Sequence, residues 1–245
     1  MPSTHLIAPG VYRLTWEAHE TAEDLSLAVL AAFEEGAHRI EAYVALDDHP
    51  GQRLASFAGL LKEGIARGSV DQRDHAVFAR LATDVPAKTP DGFRALLNSV
   101  LPRKRAISQL LIRSDDARVL LCQLTYKTDW DLPGGVVEVN ESPQIAVGRE
   151  IEEELSLTLN VGQLLLTDWL PAWRGWDDAI CLVFDGGEHP ASLAEQIVGD
   201  RREIRSAEFC TLDQINERCT DFTARRIHSA LANLAGGPSY VESGG

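Results

Sequence analysis

Residues 149–157 read REIEEELSL and place four glutamates, Glu150, Glu152, Glu153 and Glu154, within five positions. A helix advances about 100° per residue, so Glu150, Glu153 and Glu154 share one face. Glu152 points about 100° or more away from it, as a solvated surface charge would. Ile145, Ala146 and Ile151 take other faces, suited to packing on a sheet. Three bare carboxylates converging on one spot would repel strongly. A hard divalent cation, Mg²⁺ or Mn²⁺, removes that repulsion and keeps waters available for a substrate. The stretch therefore asks for an amphipathic helix, a sheet beneath it and a cation beside it. An isolated acidic run reads equally well as a solvated helix surface, so the neighbouring positions decide.

Those neighbours are in register. Gly135 is followed, after five residues, by Glu141, and after seven more by Arg149 and Glu150. Ile151, Glu153, Glu154 and the apolar Leu157 complete the pattern G-x5-E-x7-R-E-U-x-E-E, where U is a bulky apolar residue. This pattern resembles the box of the Nudix hydrolases, with Ser156 in place of that box's last glycine. The lead-in WDLPGG, Trp130 to Gly135, is similar too. The resemblance covers residues 104–236 and implies a Nudix α/β/α sandwich with a mixed sheet.

The resemblance also implies roles. Glu153 and Glu154 would hold metal, Mg²⁺ or Mn²⁺. Glu150 would be a ligand or would orient the attacking water. The carbonyl of Gly134 or Gly135 would join them. Glu141 and Arg149 would be structural, Glu141 bracing the loop and Arg149 pairing with Glu153 at i,i+4. Glu203, five residues before Glu208, resembles a further acid used by some family members. Metal-assisted attack of water on a P–O–P linkage is the expected reaction. The substrate expected is a nucleoside diphosphate linked to another moiety: a nucleoside triphosphate, ADP-ribose or a nucleotide sugar. Two other readings stay open, a nucleotide-sensing regulator without turnover and a bifunctional acyltransferase-hydrolase.

Substrate contacts are expected from three tryptophans in DWLPAWRGWDDA, Trp169, Trp173 and Trp176, which could stack a nucleobase. Asp177 and Asp178 are candidates for polar base or sugar groups. Lys127 and the RKR at 103–105 are candidates for phosphate. Core packing explains the tryptophans equally well, and plain surface the cations.

Composition bounds the remaining choices. The 245 residues are 44% hydrophobic, enough for a sizeable core, and carry a net charge of −14. That sign disfavours nucleic acid and anionic membranes as partners. It leaves a small phosphate ligand open, because a metal ion inverts the local sign. Cys122, Cys181, Cys210 and Cys219 have no metal-ligand spacing and read as reduced, buried thiols of a cytoplasmic protein. No signal peptide and no transmembrane helix is expected.

The first hundred residues have a different texture. A strand is expected near 11–17, then a helix capped by Thr21 and ended by Gly36, a strand at HRIEAYVAL, a helix over PGQRLASFAGLLKEG and a strand at HAVFARLAT. Arg39-Ile40-Glu41-Ala42 and Glu63-Gly64 make residues 10–86 resemble the C-terminal half of a GNAT acetyltransferase. Asp48, Gly51 and Leu60 depart from that family's pattern. The stretch WEAHETAED lacks the glycines of its pyrophosphate loop and carries Glu17, Glu20, Glu23 and Asp24. The reading is therefore a truncated, non-catalytic α/β half domain over 1–86, with a sheet edge to be covered by the second domain or by a homodimer partner. A linker helix over 87–103, the Nudix-like domain over 104–236 and a mobile tail over 237–245 complete the expectation.

Overall fold

A computed structural model describes residues 1–200 and 202–244. The chain divides into two compact units, Met1–Pro102 and Arg103–Gly245. Both are mixed α/β.

The first unit runs β1 (Ser3–Ala8), β2 (Val11–Thr15), α1 (Ala22–Glu34), β3 (Arg39–Ala45), α2 (His49–Phe57), β4 (Leu61–Val70), β5 (Arg73–Leu81) and α3 (Pro90–Val100). Its sheet has the order β1-β2-β3-β5-β4, with β2 parallel to β3 and the other pairs antiparallel. Thr21 and Asp24 form a capping box at the start of α1, and Gly36 at φ +100° follows its end. Leu25 and Val29 of α1 pack with Ile40, Val44 and Phe78 in the core.

Three expectations change here. The second helix stops at Phe57, and residues 61–64 are strand, because Gly59 at φ +89° turns the chain out of the helix. Residues 3–8, for which no strand was expected, form β1 and hairpin onto β2 through Gly10 at φ +69°. The helix expected as a linker is α3, which belongs to the first unit: it packs on β4, and Ser99 Oγ accepts from Lys62 N at 3.1 Å.

The second unit runs β6 (Arg105–Ser114), β7 (Val119–Leu124), β8 (Trp130–Asp131), β9 (Gly134–Val136), α4 (Pro143–Leu155), β10 (Leu164–Leu170), β11 (Ala179–His189), β12 (Ile204–Cys210), α5 (Leu212–Arg218), α6 (Asp221–Ala232) and β13 (Ser239–Glu242). The sheet order is β12-β7-β6-β11-β10-β13, with β6 parallel to β11 and β10 parallel to β13. Strands β6 and β7 pair only at Arg113–Val119. Beyond that pair β8 bonds to β7 and β9 to β6. The WDLPGG segment is thus wedged into the sheet, which gives its glycines a rigid seat.

Two apolar layers cover this sheet. Leu110, Ile112 and Leu120 pack with Val147, Ile151 and Leu155 of α4. Leu111, Leu121 and Cys181 pack with Ile215, Ile227 and Ala230 of α5 and α6. Each fully buried Leu or Ile contributes about 1.5–3 kcal/mol. All four cysteines are unpaired and buried, and burial pushes the Cys181 and Cys219 thiols up to about 12. The tail expected to be mobile is corrected: β13 pairs with β10 from Leu166–Ser239 to Trp169–Glu242. No helix among the described residues is long and apolar enough to cross a membrane.

Candidate active site

Helix α4 starts at Ser142, whose hydroxyl accepts from Ile145 N at 3.3 Å, with Pro143 in its first turn. Burial of Ala146, Val147, Ile151 and Leu155 fixes its rotation. The acidic face then meets the glycine turn. A Cβ placed on Gly135 would lie 2.5 Å from Glu150 Cδ, so only glycine leaves room for that carboxylate. Gly134, at φ +131°, lies against the β6 backbone, where a Cβ would be 2.3 Å from Ser108 O. Its N–H donates to Glu154 Oε2 at 3.3 Å.

Arg149 gathers the acids around it. Its guanidinium stands 2.9 and 3.1 Å from the two oxygens of Glu141, 3.0 Å from Glu150 and 2.9 Å from Glu153. It also donates to Val136 O at 3.4 Å. Arg149 pulls the Glu141 carboxyl below its usual range. Glu152 is exposed, apart from this group.

Glu154 lies deeper, 6% exposed. Burial drives its pKa up to about 7 against the opposing Gly134 hydrogen bond, with the charges of Glu150, Glu203 and Asp131 adding to the rise. Burial likewise raises Glu150, with Arg149 opposing and Glu153 and Glu203 assisting. The charge of Glu203 thus acts on both, from the turn just before β12. Its carbonyl accepts from Thr125 N at 2.8 Å. As they stand, no three His, Cys, Asp or Glu side chains among the described residues converge closely enough to hold a metal ion. The arginine explains this: Glu150 and Glu153 turn toward it.

The donor set still fits a hard cation. It consists of carboxylate oxygens and a glycine turn, and Glu154 is buried with a single hydrogen bond among the described residues. A buried carboxylate with spare acceptor capacity and a raised pKa gains from a cation neighbour.

The other candidates have partners of their own. Trp173 and Trp176 exchange backbone hydrogen bonds of 3.0 and 2.9 Å across a tight turn at Arg174 and Gly175. The Trp173 ring meets Phe222 edge-on at 5.8 Å and carries Arg174 at 4.4 Å; Arg105 lies over Trp176 at 4.9 Å. Trp169 is half-buried in β10. Asp178 is bound by Lys104 first and by Trp169, and its pKa is lowered accordingly. Asp177 offers its carbonyl to Arg105. No described contact brings a tryptophan to the glutamates. Lys127 is paired with Asp131 at 2.9 Å. Burial acts to lower the Lys127 pKa, but Asp131 outweighs it and the net shift is upward.

Two features escaped the sequence reading. Tyr126 is 74% exposed as a residue, and its pKa is raised first by partial burial of the hydroxyl and then by the charges of Asp131, Glu154 and Glu203, against that of Lys127. Behind the glycine turn lies a buried polar network. Arg226, 3% exposed, donates to Asp168 at 2.8 Å and to Gln109 at 3.2 Å, and stands 3.8 Å from Asp131. Gln109 donates to Asp131 at 2.9 Å, and Asp131 accepts from Leu132 N at 2.9 Å. The network thereby braces the segment leading into Gly134. One signal was available: Arg226 falls in the buried stripe of α6 beside Thr223, Ile227 and Ala230.

Ser156, at φ 57° and ψ 32°, takes the left-handed turn that ends α4. A non-glycine residue there costs about 1 kcal/mol. Its hydroxyl donates to Val198 O at 3.0 Å, which returns about 0.5–1.5 kcal/mol. Ser156→Gly is therefore expected to unfold within about 0.5 kcal/mol of the parent in urea, whereas Ser156→Ala, strained and unbonded, falls about 1 kcal/mol below it. Equal stability of Ala and Ser would show that the hydroxyl contributes nothing.

A mixed sheet between helical layers, with an acidic helix set against a glycine turn, defines the class of domain. Residues 102–231, just over half of the chain, match the NUDIX domain, and the chain belongs to the Nudix family. It is 28% identical over 130 residues to a MutT-like protein of Streptomyces ambofaciens, covering 51% of this chain and 75% of that one. Among solved structures it is similar to a MutT protein from Methanosarcina mazei, with 23% identity, a TM-score of 0.46 and coverage of 55% and 99%. A UDP-X diphosphatase gives 20%, 0.46, 65% and 77%.

Proposed function

We propose that the second unit is a pyrophosphohydrolase that cleaves the phosphoric anhydride of a nucleoside diphosphate linked to another moiety. The observation that carries this reading is the pair Glu150 and Glu154, one half-buried and one buried, held over the Gly134–Gly135 turn in a family whose box they occupy. Mg²⁺ or Mn²⁺, held by Glu150, Glu153, Glu154 and a glycine carbonyl, would polarise the anhydride and make water a better nucleophile. Glu150 or Glu203 would orient the water and accept its proton. Arg149 and Glu141 keep the acidic face in register with the turn. Lys127, paired with Asp131 ahead of the glycine turn, is the candidate for the phosphates and Tyr126 beside it in sequence for the substrate body; Trp173 and Trp176 are less suited, being engaged with Phe222, Arg174 and Arg105. The first unit is read as non-catalytic.

The test is a Mg²⁺-dependent survey of nucleoside triphosphates, ADP-ribose, dinucleotide polyphosphates and nucleotide sugars, with products identified. At least one should yield a nucleotide plus a phosphorylated remainder, or a monophosphate plus pyrophosphate. Tight nucleotide binding without turnover would replace the enzyme by a sensor.

A linked prediction concerns pH. The Glu154 pKa is raised from 4.5 to about 7, so the folded state holds the proton more tightly than the unfolded one. Its contribution is best below about pH 4.5, declines as pH rises toward 7, and is then constant, a loss of order 3 kcal/mol. A divalent cation offsets this loss only where the carboxylate is charged. Added Mg²⁺ should therefore raise the melting temperature more at pH 8 than at pH 5, by several degrees. Equal shifts at both pH values would remove Glu154 from the cation site.

A further inference from the structure

A groove lies in the first unit, far in sequence from the acidic helix, between α2 and α3 over β4 and β5; its volume is about 500 Å³. Phe78 and Leu96, both buried, form its floor. Phe57 and Phe93 stand on opposite walls, 75% and 54% exposed, and together give the groove a continuous apolar lining. Three cations line it, Arg53, Lys62 and Lys88, and no lining residue is a carboxylate. None of the three cations has an ion-pair partner among the described residues, in a chain with 37 acidic and 23 basic side chains. Arg39 with Glu63 and Arg73 with Asp47 are paired elsewhere in this unit, whereas Arg67 and Arg80, like the groove cations, have no ion pair among the described residues. An apolar trough with uncompensated positive charge complements an apolar body carrying an anionic head. The volume is that of a small-ligand site.

The polar side chains of the groove narrow the class further. Gln52 spends its amide donors on Ala45 O and Leu46 O at 3.1 and 3.0 Å. Ser56 donates to Gln52 O at 3.0 Å. The His49 ring and the Gln52 amide oxygen are the uncharged polar groups left at the lining, against Phe57, Phe78, Phe93, Leu96, Leu97 and Val100, so the body the groove favours is a hydrocarbon one. We infer that the groove between α2 and α3 binds a small acyl anion, its chain between Phe57 and Phe93 and its carboxylate or phosphate head at Arg53, Lys62 and Lys88. This site is lined by residues of the first unit alone and would give that unit a ligand-binding role.

Calorimetric titration of the whole chain tests it, with decanoate, decyl phosphate, the neutral decyl glucoside and AMP as probes. The expected result is saturable binding of one or both decyl anions. Whichever of the two binds more tightly identifies the head group. Reversing Lys62 and Lys88 together to Glu should weaken that binding about tenfold or more. The exposed Lys88→Glu alone should weaken it in the same direction, while both variants hydrolyse the anhydride substrate at the parent rate. Absence of binding by both decyl anions, equal binding of the glucoside, tighter binding of AMP, or unchanged affinity in the variants would each overturn the inference.

Discussion

Glu154→Gln is expected to lower hydrolysis of the best anhydride substrate by about 10²–10³-fold, the equivalent of roughly 3–4 kcal/mol. The change is isosteric, and the new amide oxygen still accepts from Gly134 N, so the turn keeps its support. What disappears is a buried negative charge. Burial and the charges of Glu150, Glu203 and Asp131 already work against that charge in the folded chain. The same variant should therefore be more stable than the parent at pH 8, by thermal or urea unfolding. Lost turnover with gained stability is the signature of a group kept for function. Glu153→Gln should also lose most turnover, although Glu153 is exposed and tied to Arg149. Glu152→Gln, on the solvent side, should change the rate less than about twofold. Retention of more than a tenth of the activity by Glu154→Gln would sink the assignment.

Arg226→Met should destabilise the chain by about 3–5 kcal/mol, because it strands buried acids without their counter-charge. Asp168 is fully buried, and its other partner is Gly244 N at 3.1 Å. One Arg226 nitrogen, Nη2, is itself buried without a partner, so the pair is not ideally satisfied even now. Arg226→Met combined with Asp168→Leu should recover much of the loss, since an apolar replacement of both partners is often neutral. Urea unfolding of the single and double variants checks this. A single-variant loss below about 1 kcal/mol would show that water reaches Asp168. The single variant should also impair turnover, because Asp131 braces the approach to the glycine turn.

What could be read from the sequence follows how local the forces are. Helix α4 was legible because its cap at Ser142, its apolar period and its acidic face all lie within fourteen residues. The glycine turn was legible as a motif but not as geometry: its wedging between β6 and β7 depends on two strands parting company. Strand β13 was missed because SYVE is short, and its pairing partner lies some seventy residues away. Residues 61–64 were misread because the Leu60–Leu61 pair continues the helical stripe, and only the φ of Gly59 ends it. Arg226 was overlooked because a charge among apolar residues shows its partners only after folding. The tryptophans were noticed for their number, whereas their partners, Phe222 and two arginines, come from distant segments.

The left-handed turn at Ser156 does more than stop a helix. The last carbonyls of α4 would otherwise want for donors. Those of Glu154 and Leu155 are taken by Asp200 N at 3.0 Å and Val198 N at 3.1 Å, and Ser156 holds Val198 in return. Asp200 O in turn accepts from Glu203 N at 2.9 Å. The helix end and the acid at 203 are therefore geared together: a displacement of one carries the other. A change of one residue at 198–200 would re-aim Glu203 without touching any glutamate of the helix.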